Sequence, residues 1–507
     1  MKKQICTRIM SLTMCVMLSI LPVAGCANSI GHKQETMTGG KNMAKEAEFV
    51  TITIDEKVTH QTIESFGASG AWWSQDVGGW TNTDAKGVEA REQIATLLFD
   101  DENGIGLTTY RYNVGAGTAD SGASYDGITD VWRRAECFEV KPGIYDWTKD
   151  KNAVWFMDRA VELGVKELVF FCNSPLERLT KNGKGFGDAA TDGGMTSNLP
   201  EENYRAFAEY VMDVVEHFVN EGYPIKYVSP VNEPQWEWTG GQEGCHYEPE
   251  ELVAFLNVFL DVMEERQMEG VELSAPELGE WGNTSYAYFE AIFADERLKN
   301  ALTTLDVHSY WSSTSAKTQF VSWLEKNNLQ QLELKTSEWC EMVNGKDYGM
   351  DSAIHLAMEI NTDLTKLNVT SWQYWIAVSC YDYRDGLIYV TLNSKTVWDT
   401  KRLWAMGNFS RFIKEGYTRV DCTVNNRNIA SSAYVGVNED GEENLVVVLI
   451  NSSENAYQIL PEDFGDWTRG GVHLTDASHE LENMGEVVSD NNIQIPAMSV
   501  VTVTLTK

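Results

Sequence analysis

Two glutamates stand where carboxylate chemistry would need them. Glu233 sits in Asn232-Glu233-Pro234 and Glu338 in Ser337-Glu338-Trp339. Each closes a short apolar, β-branched run, so each is predicted at the C-terminal end of a strand. Such a pair suits a bond between sugars: one carboxyl protonates the leaving oxygen, and the other meets the anomeric carbon. Asn232 offers an amide to a sugar 2-hydroxyl. Pro234 stiffens the turn and removes an N–H that would otherwise need a partner. His308 and Tyr310, from the preceding run, are placed to orient Glu338. The expected division is electrostatic. Glu233 is desolvated and protonated as the acid, and Glu338 is hydrogen-bonded and ionised as the nucleophile.

Other strand ends carry groups that suit a hydroxyl-rich ligand. They are Trp72 and Trp73, Arg111 with Asn113, Asn173, and Trp375. Trp236, three residues after Glu233, and Trp339, directly after Glu338, add aromatic surface. Arg111 reads equally as a sugar contact and as a support that holds Glu338 ionised. Glu277, Glu280, Glu177 and Asp306 read as structural acids. No serine stands beside an evident base, and the eight histidines form no cluster at metal-ligand spacing. No cofactor and no metal are expected.

These residues need a scaffold that points strand ends at one mouth. Apolar runs at 66–72, 107–113, 167–173, 226–232, 271–276, 303–310, 332–338 and 371–378 predict eight strands. Stretches such as 152–163, 202–219, 250–266 and 351–366 carry helical periodicity between them. Over 202–219, Phe207, Tyr210, Val211, Val214 and Phe218 recur three or four apart. Eight alternations predict an α/β fold, a (β/α)8 TIM barrel, whose catalytic side chains lie at the C-terminal strand ends. A doubly wound sheet is the alternative, disfavoured because no glycine-rich phosphate loop opens a helix.

After about residue 416 the pattern turns all-β. Alternating runs at 420–424, 429–437, 444–450, 471–474 and 499–505 predict an appended sandwich. Residues 49–54 alternate too and are expected to lend it an edge strand. The predicted organisation is therefore 48–64 as that entering strand, 65–415 as the barrel and 416–507 as the sandwich.

The composition narrows the partners. The chain has 507 residues, 43% of them hydrophobic, enough for a large core. Its formal net charge is -35, which repels phosphate backbones and excludes nucleic acid as a partner. The 17 Trp and 20 Tyr suit flat, weakly charged ligands such as sugars. At the N-terminus, Lys2, Lys3 and Arg8 precede an apolar stretch over 10–23 and then Ala24-Gly25-Cys26. Residues 1–25 read as a signal peptide, and the apolar run is too short for a good membrane span. The segment resembles a bacterial lipobox, which implies lipidation of Cys26, a flexible tether over 26–47, and membrane contact only through that lipid. The implied location is outside the cell. Beyond Cys26, six cysteines remain in the expected mature chain, with no C-x-x-C pair among them.

The motifs together resemble glycoside hydrolase family 30. They are Phe66-Gly67-Ala68-Ser69-Gly70, Arg111-Tyr112-Asn113-Val114-Gly115, Asn173-Ser174-Pro175, Val231-Asn232-Glu233-Pro234 and Thr336-Ser337-Glu338-Trp339. The resemblance implies a catalytic barrel with a side β-sandwich built from both chain ends. It also implies cleavage of β-linked glycans with retention, Glu233 as acid/base and Glu338 as nucleophile. Arg111, Asn173, Asn232, His308, Tyr310 and Trp375 would be substrate or support positions. Ser69-Gly70-Ala71-Trp72-Trp73 is similar to members acting on β-1,6-galactan, with xylan and β-1,6-glucan next. The competing reading is a non-catalytic surface glycan-binding lipoprotein, which would be expected to lack one of the two carboxylates.

Overall fold

Eight short buried strands, each followed by at least one helix, form a closed parallel sheet. In the computed structural model these are β1 (Ser65–Ser69), β2 (Thr109–Asn113), β3 (Glu167–Phe171) and β4 (Ile225–Ser229). They continue as β5 in two pieces (Glu272–Leu273 and Pro276–Leu278), β6 (Thr304–Val307), β7 (Glu333–Thr336) and β8 (Ser371–Tyr374). The structure describes residues 47–507 except 84–86, 123–124, 188–195, 439 and 489–490. The signal segment, Cys26 and the tether up to residue 46 lie outside the described residues.

Every neighbouring pair is parallel, and β8 pairs with β1 through Trp372 and Phe66. The first piece of β5 pairs with β4 and the second with β6, so the ring closes across the break. A strand buried on both faces needs apolar side chains in both directions, as in Leu168-Val169-Phe170-Phe171. Helix Tyr204–Asn220 buries Phe207, Tyr210, Val211, Val214 and Phe218, the stripe its periodicity predicts. Helix Pro249–Arg266 starts where the sequence signals it, with Pro249 in the first turn and a capping box between Glu248 and Glu251.

Strand ends fall earlier than the apolar runs suggest. β3 stops at Phe171, β4 at Ser229 and β7 at Thr336. Asn173, Glu233 and Glu338 therefore stand on the first residues of the following loops. Beyond β4 the backbone leaves extended geometry, with a left-handed φ of 44° at Glu233, and Glu277 takes φ of 54° at the register shift inside the second piece of β5. That conformation costs free energy for a residue with a Cβ and needs outside support. Part of it is mutual, since the Glu233 N–H donates to the Glu277 carbonyl at 2.8 Å.

A seven-stranded antiparallel sheet follows the order Ile52–Thr62, Thr418–Val424, Ile429–Val437, Glu443–Asn451, Ser499–Thr506, Arg469–Thr475, Glu482–Glu486. The N-terminal strand thus takes an edge, beside Thr418–Val424. Glu443–Asn451 shows how the sheet is held. Leu445, Val447 and Leu449 face a core shared with Val50, Ile459 and Ile495. Val446, Val448 and Ile450 face the opposite way and join the barrel's core. Two hydrogen bonds fix the junction: Asn408 Nδ2 donates to Thr502 Oγ1 at 2.9 Å, and that hydroxyl donates to the Asn408 carbonyl at 2.7 Å. Cys137, Cys172, Cys245, Cys340, Cys380 and Cys422 are all free thiols.

Candidate active site

Arg111 and His308 gather three glutamates at one point of the barrel mouth. Arg111, on β2, is fully buried. Its guanidinium ion-pairs with Glu338, and its Nη2 lies 3.3 Å from Glu277 Oε2 and 3.5 Å from Asn232 Oδ1. The Phe171 ring supports it from 3.7 Å. His308 touches all three carboxylates. Its Nδ1 is 3.1 Å from Glu233 Oε1 and 3.4 Å from Glu338 Oε2, and its Nε2 is 3.3 Å from Glu277 Oε2. The Tyr310 hydroxyl donates to Glu338 Oε2 at 3.3 Å.

The His308 contacts bound the separation of the two candidate catalytic groups. The Glu233 and Glu338 oxygens they reach are no farther apart than the two contacts laid end to end. That limit is at or below the lower end of the about 6.5–9.5 Å used by inverting enzymes. Gly279, after β5, sits against the same carboxyl. A Cβ there would lie 3.0 Å from Glu233 Oε1 and 2.7 Å from Gln235 Nε2, so the bare backbone is what lets both side chains pack.

Three ionised acids against two cations would leave one net negative charge, so the cluster readily takes up one proton. Glu277 is the poorest place for it. Burial raises its carboxyl, but Arg111, His308 and Ser337 together bring it down to about 2. Burial pushes Glu338 upward, against His308 and Arg111, and the neighbouring Glu233 and Glu277 add to the rise. An ionised Glu338, as expected from the sequence, is thus opposed by burial, a term the sequence does not display.

His308 gives the site a signature in pH. Burial alone would lower it, but Glu338, Glu233 and Glu277 raise it to about 9. The folded value lies above the roughly 6.5 of an unfolded histidine, so its stabilising contribution is full below about pH 6.5 and is lost as pH rises toward 9. The Tm should fall across that window, and His308→Gln should flatten the fall. An unchanged slope in the variant would remove His308 as its cause.

The cluster opens into a cleft of about 620 Å³. Asn232, Glu233, Tyr310 and Glu338 line it, with Trp72 and Trp375 meeting edge to face at 5.1 Å. Trp236 and Trp311 also line it, their rings nearly parallel at 6.2 Å and more than half exposed. Trp73 and Trp339 do not reach it. The Trp73 N–H donates to the Ser69 carbonyl, and its ring packs on Phe156. Trp339 packs on Trp372 and Tyr374. Asn173 donates to Asn113 at 3.1 Å, and both are buried outside the cleft lining. These four lie outside the cleft lining. The cleft adds Arg133, Trp311, Tyr381 and Asp385, which the sequence reading did not single out. A signal existed for two of them, because Tyr381-Asp382-Tyr383-Arg384-Asp385 is an aromatic, acidic loop just beyond β8.

The model of O-glycosyl hydrolase family 30 matches residues 49–389. The chain belongs to glycoside hydrolase family 30. An endo-β-1,6-galactanase of Hypocrea rufa is 25% identical over 440 residues, covering 79% of this chain and 81% of that protein. The crystal structure of a conserved exported protein from Bacteroides fragilis superposes with a TM-score of 0.77 at 26% identity, covering 90% of this chain and all of that one. The catalytic domain of the family 30 xylanase C from Talaromyces cellulolyticus gives a TM-score of 0.67 at 20% identity, again over 90% of this chain and all of that one. The fold is the expected barrel with an appended β domain, and the protein is a β-glycoside hydrolase, an O-glycosyl hydrolase of that family. Its partner is a β-linked oligo- or polysaccharide.

Proposed function

We propose that this hydrolase retains configuration by double displacement, with Glu233 as acid/base and Glu338 as nucleophile, on β-1,6-galactan or its oligosaccharides. The observation that carries the mechanism is His308 Nδ1 contacting both carboxyls, which keeps them close enough for one to attack while the other protonates. Glu233 gives its proton to the leaving oxygen as Glu338 bonds to the anomeric carbon. The Arg111 guanidinium and the Tyr310 hydroxyl, both already on Glu338, hold its carboxyl in place. Glu233, now ionised, takes a proton from water, and that water frees the sugar from Glu338.

Asn232 is assigned to the sugar 2-hydroxyl, and Trp72, Trp236 and Trp375 to sugar faces. The galactan choice rests on the similarity to the Hypocrea rufa galactanase and on Trp72-Trp73 after β1. We further propose residues 65–415 as the catalytic barrel, 416–507 with 48–64 as its side domain, and attachment outside a bacterial cell through lipid on Cys26.

The deciding experiment incubates the protein without residues 1–25 with β-1,6-galactan, xylan and β-1,6-glucan, with Glu338→Ala as control. Release of sugars from galactan, absent in the control, is the expected result, and product length then separates endo from exo action. Release only from xylan or β-1,6-glucan would replace the galactan assignment.

A further inference from the structure

One buried carboxylate outside the catalytic cluster ties three barrel strands together. Asp363 opens a π turn, Asp363–Leu367, that ends helix Met350–Thr362 and leads toward β8. Such turns give up regular helix bonding and recur at functional sites. Asp363 Oδ2 accepts from the Ser309 hydroxyl at 2.8 Å, the Thr336 hydroxyl at 3.0 Å and the Trp372 indole N–H at 2.9 Å. Ser309 lies just beyond β6, Thr336 ends β7, and Trp372 is on β8. Asp363 Oδ1 lies 2.6 Å from Lys317 Nζ. All five residues are buried.

The residues it holds stand next to the catalytic ones. Ser309 follows His308, and its N–H donates to the Glu338 carbonyl at 3.0 Å. Its hydroxyl also accepts from the Trp281 N–H at 2.8 Å. Trp281 comes two residues after Gly279, against which Glu233 packs. Thr336 comes two residues before Glu338, and Ser337 between them donates to Glu277. Neighbouring side chains thus alternate: His308 and Ser337 reach the catalytic cluster, while Ser309 and Thr336 reach Asp363. A buried ion pair is a poor source of net stability, because desolvation offsets the attraction and apolar residues of similar volume serve as well. What a carboxylate with four donors supplies is direction, since bonds to a charged acceptor are roughly twice as strong as neutral ones.

We propose that Asp363 is a positioning residue for the reaction: through Ser309 and Thr336 it holds the Glu338 carboxyl where it attacks the anomeric carbon. The proposal rests on the nucleophile role given above to Glu338. A misplacement of about 1 Å at a reacting atom costs about 10^2-fold. Asp363→Asn keeps the shape, loses the charge and leaves Lys317 paired with Glu359, and it should lower kcat/KM by about that factor. Thr336→Val removes one of the three bonds and should cost about 10-fold. Thr336→Ser keeps the hydroxyl and should retain most of the activity.

Each substitution is measured in two backgrounds, the wild type and Glu338→Ala supplied with azide. The substrate is the 2,4-dinitrophenyl β-glycoside of the sugar that the enzyme releases from its polysaccharide. With azide, a nitrogen bonds to the anomeric carbon as dinitrophenolate leaves with the bonding pair, so neither Glu338 nor a proton from Glu233 is needed. Circular dichroism at the assay temperature checks that each variant is folded. The expected result is the stated losses in the wild-type background and changes of less than about 2-fold with azide, because the residue being positioned is gone. Equal losses in both backgrounds would show a general disturbance of the site and overturn the positioning role. So would full activity of Thr336→Val, or a loss in Thr336→Ser as large as in Thr336→Val. Should Asp363→Asn not fold, the two Thr336 variants carry the decision. A β-glycosyl azide from Glu338→Ala, or no azide product at all, would overturn the nucleophile role itself and the positioning with it.

Discussion

Glu338→Ala is expected to lower kcat by about 10^4-fold or more, equal to about 5–6 kcal/mol of transition-state stabilisation. The covalent step is lost outright, because no other carboxylate can take the same position. Glu277 is the nearest candidate, but it is fully buried and holds Arg111 and His308 instead of lining the cleft. The variant should remain folded, since Arg111 keeps Glu277 and His308 keeps Glu233 and Glu277. Azide provides the sharper readout. In Glu338→Ala it can enter from the nucleophile's side and attack an activated aryl β-glycoside, giving an α-glycosyl azide. Formation of the β-azide would show that the residue removed had been the acid/base, and the two roles would be reversed.

Glu233→Gln should produce a loss that depends on the leaving group. An amide of the same shape cannot give up a proton, so natural glycosidic bonds should slow by about 10^2–10^4-fold, the usual contribution of a positioned acid. Activated aryl glycosides need little protonation, and their bond-breaking step should slow far less. Hydrolysis of the covalent intermediate still needs a base, so a burst of released phenol should precede a slow steady state. An equal loss on both substrate types would contradict the acid assignment. The substitution also removes one of the three acids around His308, so the alkaline fall in Tm should shift to lower pH.

Much of the fold was legible because barrel strands and their helices carry different periods. The five-residue stripe of Tyr204–Asn220 and the double-sided burial of β3 follow directly from residue type and spacing. The edge position of Ile52–Thr62 was legible from alternation near the N-terminus. Strand ends were less so. Left-handed backbone at Glu233, beyond β4, and at Glu277, at the register shift within β5, is announced by no residue type there.

The site divides in the same way. Sequence alone determined the kinds of group available: two strand-end glutamates, an arginine, a histidine and a tyrosine in positions that a barrel must turn toward one mouth. Periodicity and motif suffice for that, because alternation along a parallel strand decides which side chains face inward. Only the tertiary structure decided how they share charge. Glu277 reads as an ordinary structural acid in sequence, yet burial beside Arg111 and His308 makes it the fixed counter-charge of the cluster. Trp73 and Trp339 read in sequence either as core or as sugar platforms, and neighbouring rings enclose them. Asp385 and Arg133 drew no attention, yet long loops carry them to the cleft. In each case the deciding quantity is burial by residues distant in the chain, and it sets proton affinity and exposure only once the barrel has closed.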